Sequence, residues 1–251
     1  MEYACASDAG LYRKTNEDCV GIFTVSGVFT VALLLDGMGG VNGGKIASNT
    51  AYNTMETELE LGLSFLLCTE GGVTHRAVAD VVSMAAKAAN RAIYEYARKQ
   101  PDLRGMGTTL VAAVFYGNHC CILNVGDSRA YYFAENQITQ LTKDQSYLQY
   151  LLDNEKITEE ASHSFKGKNV ILSAVGTEDE LNFDLYHLTF TGKDKEYVLL
   201  SSDGLHGCVA EKAICRAVYK KKTPKAIVSK LIDLAMDAGG EDNISAVLVS
   251  I

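Results

Sequence analysis

Short apolar runs bounded by glycine, asparagine and aspartate recur along the chain, and this pattern predicts β-strands. Several runs are joined by only a few polar residues, for example Glu135-Asn136, as in hairpins. Hairpins join antiparallel strands, whereas parallel strands need a long crossover connection. We therefore expect antiparallel sheets. The predicted strands are Cys19–Ser26, Val28–Asp36, Thr109–Tyr116, Cys120–Val125, Ala130–Ala134, Tyr197–Ser201 and Ile244–Ile251.

Segments rich in alanine, methionine and glutamate lie between these strands and predict helices. The predicted helices are Ile46–Leu61, Val73–Lys99, Val209–Tyr219 and Pro224–Ala238. This order of elements predicts an α+β fold of one domain, residues 1–251, with helices outside antiparallel sheets. Residues 144–196 are polar and poorly periodic, and we expect a partly ordered flap there.

Composition narrows the functional class. The 251 residues are 47% hydrophobic and 22% charged, which is typical of a globular protein. The 31 acidic and 23 basic residues give a net charge of −8, which argues against a general binder of nucleic acid or anionic membranes. The seven cysteines form no CxxC pair, so we expect them to be reduced. Residues 1–8 show no targeting segment, and we expect a cytoplasmic protein.

Acidic residues stand repeatedly at the ends of the apolar strands, beside glycine or a small polar residue. One Asp-Gly pair is usually only a turn. A carboxylate at a buried strand end is costly unless it is paired or binds a cation. Such repetition therefore predicts that the carboxylates converge at one end of a sandwich. The positions are Asn16-Glu17-Asp18, Asp36-Gly37, Gly126-Asp127, Ser202-Asp203-Gly204 and Glu241-Asp242-Asn243.

Converging carboxylates with a glycine carbonyl form an all-oxygen site, which suits Mg²⁺ or Mn²⁺ better than zinc or copper. Two such ions about 3.5–4 Å apart share a bridging water, lower its pKa and bind a phosphoryl oxygen. From the residues alone, the prediction is therefore a dinuclear hydrolase or a phosphoryl-transfer site.

Six motifs occur in an order that resembles the type 2C metal-dependent serine/threonine protein phosphatases, particularly the compact bacterial members. The resemblance extends from Ser7 to Ile251, and it implies a four-layer α/β/β/α sandwich. The motifs are Arg13-Lys-Thr-Asn-Glu-Asp18, Asp36-Gly-Met-Gly-Gly40, Gly105-Met-Gly-Thr-Thr109, Gly126-Asp-Ser-Arg129, Ser202-Asp-Gly204 and Glu241-Asp-Asn243.

The resemblance also implies a ligand set for two divalent ions, Mn²⁺ or Mg²⁺. Asp36 would bridge both ions, and the carbonyl oxygen of Gly37 would bind the first. Asp203 and Asp242 would hold the second ion, with Glu17 beside it through bound water. Metal-bound hydroxide would then attack phosphorus directly, without a phosphoenzyme.

Further roles follow from the same resemblance. Asp18 would orient waters around the ions, and Asp127 with Asp203 resembles the third-metal site of bacterial members. Arg13 would bind the substrate phosphate through its planar guanidinium group. The implied catalytic residues are thus Arg13, Asp36 and Asp203. The implied substrates are phosphoserine and phosphothreonine proteins, including those of a cognate kinase, and we expect a monomer.

The sequence departs from the family pattern at several positions. Met38 replaces a histidine proposed as general acid in eukaryotic relatives. Val41 and Lys45 stand where the family usually has a histidine and an acidic residue. In the predicted flap, the usual His-Pro approach is replaced by the segment 163–171. These differences leave the ligand set complete but bear on the flap and on substrate preference.

The remaining candidate residues were assigned structural roles. Thr108 and Thr109 are interpreted as strand and turn residues. The histidines show no ligand spacing and are interpreted as surface or core residues, with one close to the site: His75, His119, His163, His187 and His206. Two rival functions stay open, a catalytically silent phosphoprotein-binding module and a regulatory phosphatase dedicated to one anti-sigma-factor antagonist.

Overall fold

Two antiparallel sheets form the centre of the computed structural model, which describes residues 1–40, 42–162, 165, 167, 170–192 and 195–251, with Glu159 described by its backbone alone. The first sheet contains, in spatial order, β1 (Glu2–Asp8), β11 (Ile244–Ser250), β10 (Tyr197–Ser201), β7 (Arg129–Ala134) and β8 (Gln137–Gln140). The second contains β2 (Asp18–Val25), β3 (Phe29–Met38), β5 (Leu110–Tyr116), β6 (His119–Val125) and β9 (Asp184–Thr189), with β4 (Gly107–Thr108) beside β3.

Helices cover the outer face of each sheet. The described helices are α1 (Gly43–Leu66), α2 (His75–Arg98), α3 (Tyr147–Asp153), α4 (Glu159–Ser162), α5 (Asp203–His206), α6 (Glu211–Lys220) and α7 (Pro224–Asp237). The long pair α1 and α2 packs on the second sheet, and α5, α6 and α7 pack on the first. None of these described helices is both long and apolar enough to cross a bilayer.

Three buried apolar clusters separate the four layers. Strand β3 shows how the sequence builds them, because its side chains alternate between two faces. Leu33 and Leu35 face α1 and α2, while Ala32 and Leu34 face the other sheet. A strand buried on both faces reads as a continuous apolar run. The α/β/β/α sandwich and the α+β class are thereby confirmed.

The predicted strands and helices are all present, with shifted ends. Helix α1 starts before and ends after its predicted bounds of Ile46–Leu61. Pro224 is the first residue of α7, as predicted, and the hydroxyl of Thr223 caps that helix by accepting a bond from Ala226 N.

Four strands were missed: β1, β8 and β9 lie at sheet edges, and β4 has only two residues. Strand β1 pairs only with β11 and has no buried residue, so its apolar pattern is weak. Strand β9 pairs with β6 inside the expected flap of residues 144–196. The expected flap is therefore wrong in its second half, where residues 184–189 belong to the second sheet.

Candidate active site

The acidic strand ends meet in one cleft, of about 250 Å³, where the two sheets lie against each other. Strands β2 and β3 of the second sheet supply one group of side chains, and the ends of β10 and β11 of the first sheet supply another. Asp18 lies opposite Asp36 in the β2–β3 ladder. The predicted site residues lining the cleft are Arg13, Glu17, Asp36, Gly37, Asp127, Asp203 and Asp242.

Two threonines fix the backbone of Asp36. The amide of Asp36 donates to Thr109 Oγ1 at 3.0 Å, and its carbonyl accepts from Thr109 N at 2.8 Å and from Thr108 Oγ1 at 2.9 Å. Thr109 Oγ1 also lies 2.7 Å from the Ser128 hydroxyl. The interpretation of the threonines as structural residues agrees with these contacts, which direct the Asp36 carboxylate into the cleft.

Small residues let the end of β3 press against the first turn of α1. A Cβ atom on Gly37 would collide with the carbonyl of Gly44. A Cβ atom on Gly44 would lie 2.6 Å from Gly37 O and 2.8 Å from Glu17 Oε2. Gly44 was not singled out in the sequence, because its role depends on a contact between separate elements. The absence of a side chain at Gly44 leaves room for two predicted metal-site groups, the Gly37 carbonyl and the Glu17 carboxylate.

We expect Gly44→Ala to weaken divalent-ion binding by about 10- to 100-fold, because the added methyl group must displace Glu17 or the Gly37 carbonyl. Gly40→Ala is the matched control, because no atom lies within 4 Å of a Cβ at that position. Isothermal titration with Mn²⁺ measures both variants. Equal affinities in the two variants would contradict this account of the contact.

Asn243 ties the loop before β2 to the start of β11. Its Oδ1 accepts from Glu17 N at 2.8 Å, and its Nδ2 donates to Ala9 O at 3.0 Å and Thr15 O at 3.1 Å. The side chain is buried, so these bonds replace water. Asn243 belongs to the Glu241-Asp-Asn243 motif, but the sequence indicates no role for its side chain. The structure shows that it positions the loop that carries Arg13 and Glu17.

Arg13 lies at the rim of the cleft and pairs with Asp242, the Nη2–Oδ2 distance being 2.8 Å. The Arg13 side chain is 56% exposed, so this ion pair contributes little to stability and is easily exchanged. A guanidinium group in this place can bind a second anion that enters the cleft. The position of Arg13 therefore fits its predicted role with phosphate.

Negative charges crowd this cleft and oppose ionisation. Burial, followed by the charges of Asp18 and Asp203, raises the pKa of Asp36 well above its ordinary value. Burial and the charge of Asp203 raise the pKa of Asp127 to about 7. Burial and the charge of Asp242 raise the pKa of Asp203. Such carboxylates ionise together only when cations neutralise them.

The buried Asp18 carboxylate tests whether the residues of the cleft fit a cation. Both of its oxygens are buried, and neither accepts a hydrogen bond from a described residue. The nearby hydroxyls of Ser202 and Ser245 donate instead to Asn243 O and Ser7 Oγ. Burial raises the pKa of Asp18 to about 6. The residues present therefore fit divalent ions with oxygen ligands, which would offset this unpaired charge.

These raised pKa values predict that Asp18 and Asp127 contribute more to the stability of the metal-free protein as the pH falls from 7 to about 4. The folded state binds protons at Asp18 (pKa about 6) and Asp127 (about 7) in a range where the unfolded chain, with ordinary values near 3.9, does not. Stability from these groups is therefore present at low pH and lost as the pH rises through their folded pKa values. The expected change in the free energy of unfolding is a few kcal/mol.

Urea unfolding in EDTA, repeated across this pH range, measures the effect. Saturating Mn²⁺ is the control and should reverse the slope, because the ion binds the ionised carboxylates. A pH dependence of unfolding that Asp127→Asn leaves unchanged would show that the pKa of Asp127 is not raised.

A larger cavity of about 620 Å³ opens beside the acidic cleft and shares three aspartates with it, Asp127, Asp203 and Asp242. Arg129 forms part of its wall and makes an ion pair with Asp144, the Nη2–Oδ2 distance being 2.7 Å. His206 also lines this cavity, and its Nδ1 lies 2.8 Å from Ser201 Oγ. This space adjoins the predicted ligands and is open to a bound substrate.

The segment after β8 closes one side of the cleft. The Oε1 atom of Gln145 accepts from Gly126 N at 3.0 Å, and Ser146 makes an isolated bridge with Ile171. Ile171 lines the acidic cleft itself. This part of the expected flap thus contacts the predicted site directly.

The departures from the family pattern fall partly on described residues. Met38 lines the cleft, where its thioether offers no proton to a leaving group. Lys45 is exposed on α1. Val41, His163 and Asn169 lie outside the described residues, so the expectations for them stay predictions.

Three of the histidines lie at or near the surface, as interpreted, and they meet one another there. His75, His119 and His187 each place one ring nitrogen within 4.8 Å of the other two. They come from α2, β6 and β9, so no spacing along the chain indicates their meeting. This group lies apart from the acidic cleft. Burial, followed by the neighbouring rings of His75 and His119, lowers the pKa of His187.

The four-layer sandwich with a carboxylate cleft at the seam between its sheets is the architecture of the type 2C protein phosphatases. The family described as Protein phosphatase 2C matches residues 13–248 of this chain. The chain therefore belongs to the protein phosphatase 2C family, and the sequence-based resemblance is confirmed.

Named relatives agree with this family. The chain is 34% identical to the serine/threonine phosphatase stp of Listeria monocytogenes over 243 residues, which cover 97% of this chain and 93% of that protein. It is 35% identical to the serine/threonine protein phosphatase PstP of Mycobacterium tuberculosis, but spans only 45% of that protein's length. The crystal structure of the serine/threonine phosphatase Stp1 of Staphylococcus aureus superposes with a TM-score of 0.89 at 32% identity, covering 100% of this chain and 94% of that one.

Proposed function

We propose that this protein is a divalent-metal-dependent phosphatase that hydrolyses phosphoserine and phosphothreonine in proteins and opposes a cognate protein kinase. The observation that carries the proposal is the convergence of carboxylates from both sheets around the unpaired Asp18. Membership of the protein phosphatase 2C family and relatives named serine/threonine phosphatases support it.

The donor set favours two Mn²⁺ or Mg²⁺ ions, since it consists of carboxylates and the Gly37 carbonyl. Asp36, at the floor of the cleft, would bridge them, Asp203 and Asp242 would hold one ion, and Glu17 would lie beside it. When bound, the ions would activate a water molecule and neutralise charge on the phosphoryl group. Asp127, next to Asp203, would take part in holding a third ion.

The protein's own groups bind and orient the substrate in this proposal. Arg13 would exchange its bond with Asp242 for two bonds to phosphoryl oxygens, which a planar guanidinium group makes well. The threonine contacts keep Asp36 fixed while substrate enters. Met38 holds no proton, so the proton for the leaving serine or threonine oxygen must come from another group or from water.

The adjoining cavity of about 620 Å³ offers room for the peptide that carries the phosphate. Its wall includes Ser146 and Leu148, which belong to the segment that closes over the cleft. We infer that the expected flap, which departs from the family pattern in its segment 163–171, would set substrate preference. The expectations of a monomer and of a cytoplasmic location stay predictions.

Phosphate release from a phosphothreonine peptide, measured in Mn²⁺ and in EDTA, tests the proposal. We expect release with metal and none with EDTA. Full release in EDTA would overturn the metal-dependent mechanism. No release from a folded, metal-loaded protein would instead favour the silent phosphoprotein-binding module, which the complete ligand set argues against.

A regulatory phosphatase dedicated to one antagonist protein is the other alternative. Turnover of several unrelated phosphopeptides distinguishes it from a broader enzyme. Comparable kcat/KM values across the peptides would support the broader function proposed here, whereas activity on a single sequence would favour the dedicated enzyme.

A further inference from the structure

Three histidines form a cluster at the edge of the second sheet, and the proposed phosphatase reaction makes no use of it. The histidine cluster consists of His75, the first residue of α2, His119, the first residue of β6, and His187 on β9. Strand β6 runs from this cluster to the acidic cleft, so the two sites lie at opposite ends of it, about 20 Å apart.

The strand register explains why the rings meet. His187 lies directly opposite Cys121, and His119 lies opposite Thr189, in the β6–β9 ladder. His119 and Cys121 are two residues apart and therefore share one face of the sheet, the face that α1 and α2 cover. His187 lies on the same face as its partner Cys121, and α2 begins above it with His75.

The ring nitrogens converge as metal ligands do. His187 Nε2 lies 3.0 Å from His75 Nδ1, and the ring centroids of these two residues are 3.9 Å apart. The centroid of His119 lies 4.3 Å from that of His75 and 5.3 Å from that of His187. Two nitrogens bound to one tetrahedral zinc ion stand about 3.3 Å apart, given Zn–N bonds near 2.0–2.1 Å. The His75–His187 pair therefore needs a shift of only a few tenths of an ångström to share an ion, and the three ligand nitrogens lie within 4.8 Å of one another.

Neighbouring hydroxyls orient two of the rings. His119 Nδ1 lies 3.1 Å from Thr189 Oγ1, which leaves Nε2 as its ligand atom. Metal-binding histidines commonly use the second ring nitrogen in this way, for a hydrogen bond that fixes the ring. The Tyr116 hydroxyl lies 2.7 Å from His75 Nδ1, the nitrogen that faces His187, so an ion bound there would replace this hydrogen bond.

We propose that the histidine cluster is a second metal site, which binds one zinc-type ion through three imidazole nitrogens. Imidazole ligands suit Zn²⁺, Ni²⁺ and Cu²⁺, whereas Mg²⁺ and Mn²⁺ prefer the oxygen ligands of the acidic cleft. His75 and His187 are exposed, so an ion can enter from solvent and keep a water as its fourth ligand. On binding, the hydrogen that now lies between His75 Nδ1 and His187 Nε2 moves to the outer nitrogen of the ring that carries it, so both rings would bind the ion as neutral imidazoles with no net proton release.

An ion at this site would join three elements that are distant in sequence. Strand β9 is an edge strand held by β6 alone, and it ends the polar segment that begins beside the acidic cleft. Coordination by His75 would fix β9 to the start of α2. The ion would therefore stabilise this edge of the sheet, without supplying a group to the phosphatase reaction.

Zinc titration of the full-length protein by calorimetry, with thermal unfolding in parallel, tests the proposal. Compared with His187→Gln, the wild type should bind one more equivalent of Zn²⁺, and only the wild type should gain thermal stability from this equivalent. Leu185→Gln on the same strand is the matched control and should behave as the wild type, since Leu185 is exposed and offers no ligand. Mg²⁺ should produce no such difference between the three proteins.

A second variant separates ligand loss from damage to the fold. Thr189→Val keeps all three imidazoles but removes the hydroxyl beside His119, and we expect about 10-fold weaker Zn²⁺ binding at this site. Equal zinc stoichiometry and equal thermal shifts in the wild type and a folded His187→Gln variant would overturn the proposal. The proposal would also be overturned if Mg²⁺ stabilised the wild type but not the His187→Gln variant. Each of these results is independent of phosphatase activity.

Discussion

Replacing Asp36 by asparagine is expected to abolish phosphate release while making the metal-free protein more stable. The carboxylate would be lost as the proposed bridge between two ions, and a cost of about 4 kcal/mol in transition-state stabilisation lowers the rate about 1,000-fold. In the absence of metal the same carboxylate is repelled by Asp18 and Asp203. An asparagine amide can donate to the unpaired Asp18 oxygens, and we expect a gain of about 1–3 kcal/mol.

Phosphopeptide turnover in Mn²⁺ and urea unfolding in EDTA measure the two effects separately. Asp102→Asn is the matched control. Asp102 is exposed in the short segment Pro101–Leu103, so this substitution removes the same charge at a place far from the cleft. The control should change neither quantity by much. Full activity of Asp36→Asn would contradict the site assignment, and a destabilised metal-free variant would contradict the account of charge repulsion.

Asn243→Ala should lower both the stability of the fold and the catalytic efficiency of the proposed enzyme. The variant loses the three part-buried hydrogen bonds to Ala9, Thr15 and Glu17, at a cost of about 3 kcal/mol. The loop carrying Arg13 and Glu17 is then free to move. We expect a higher KM for phosphopeptide and weaker Mn²⁺ binding. Together these effects should lower kcat/KM about 100-fold.

Asn53→Ala provides the comparison, since Asn53 is exposed on α1 and far from the loop. Saturating Mn²⁺ should restore part of the activity of Asn243→Ala, because a bound ion draws the loop back into place. A variant with a normal KM and normal metal affinity, but a lowered melting temperature, would mean that Asn243 supports the fold alone.

The sequence predicted those features that depend on local chemistry. Buried strands such as β3 appear as apolar runs, and aspartates at their ends are visible because few other residues there are charged. Their convergence followed from the cost of leaving carboxylates unpaired in a buried place. The precise roles of Asp36, Asp203 and Asp242 came from the family resemblance and stay predictions until variants are measured.

The features that were missed depend on contacts between distant segments. The role of Gly44 depends on how closely β3 approaches α1, and that of Asn243 on the carbonyls of Ala9 and Thr15. The histidine cluster needs the β6–β9 register, which an edge strand with a weak apolar pattern does not reveal. The spacing of residues along the sequence does not indicate such contacts.

The proposed active site lies between the two sheets, so it is complete only when both sheets have folded and packed together. Asp36 and Glu17 are held by one sheet and Asp203 and Asp242 by the other, and this latter sheet pairs β1 from the start of the sequence with β11 from its end. A half-assembled molecule therefore presents only some of the ligands and captures metal weakly. Chains that have not docked their two halves would be inactive toward phosphoproteins, and metal supply would favour those that have. Catalytic competence and structural maturity would thus arise in the same step.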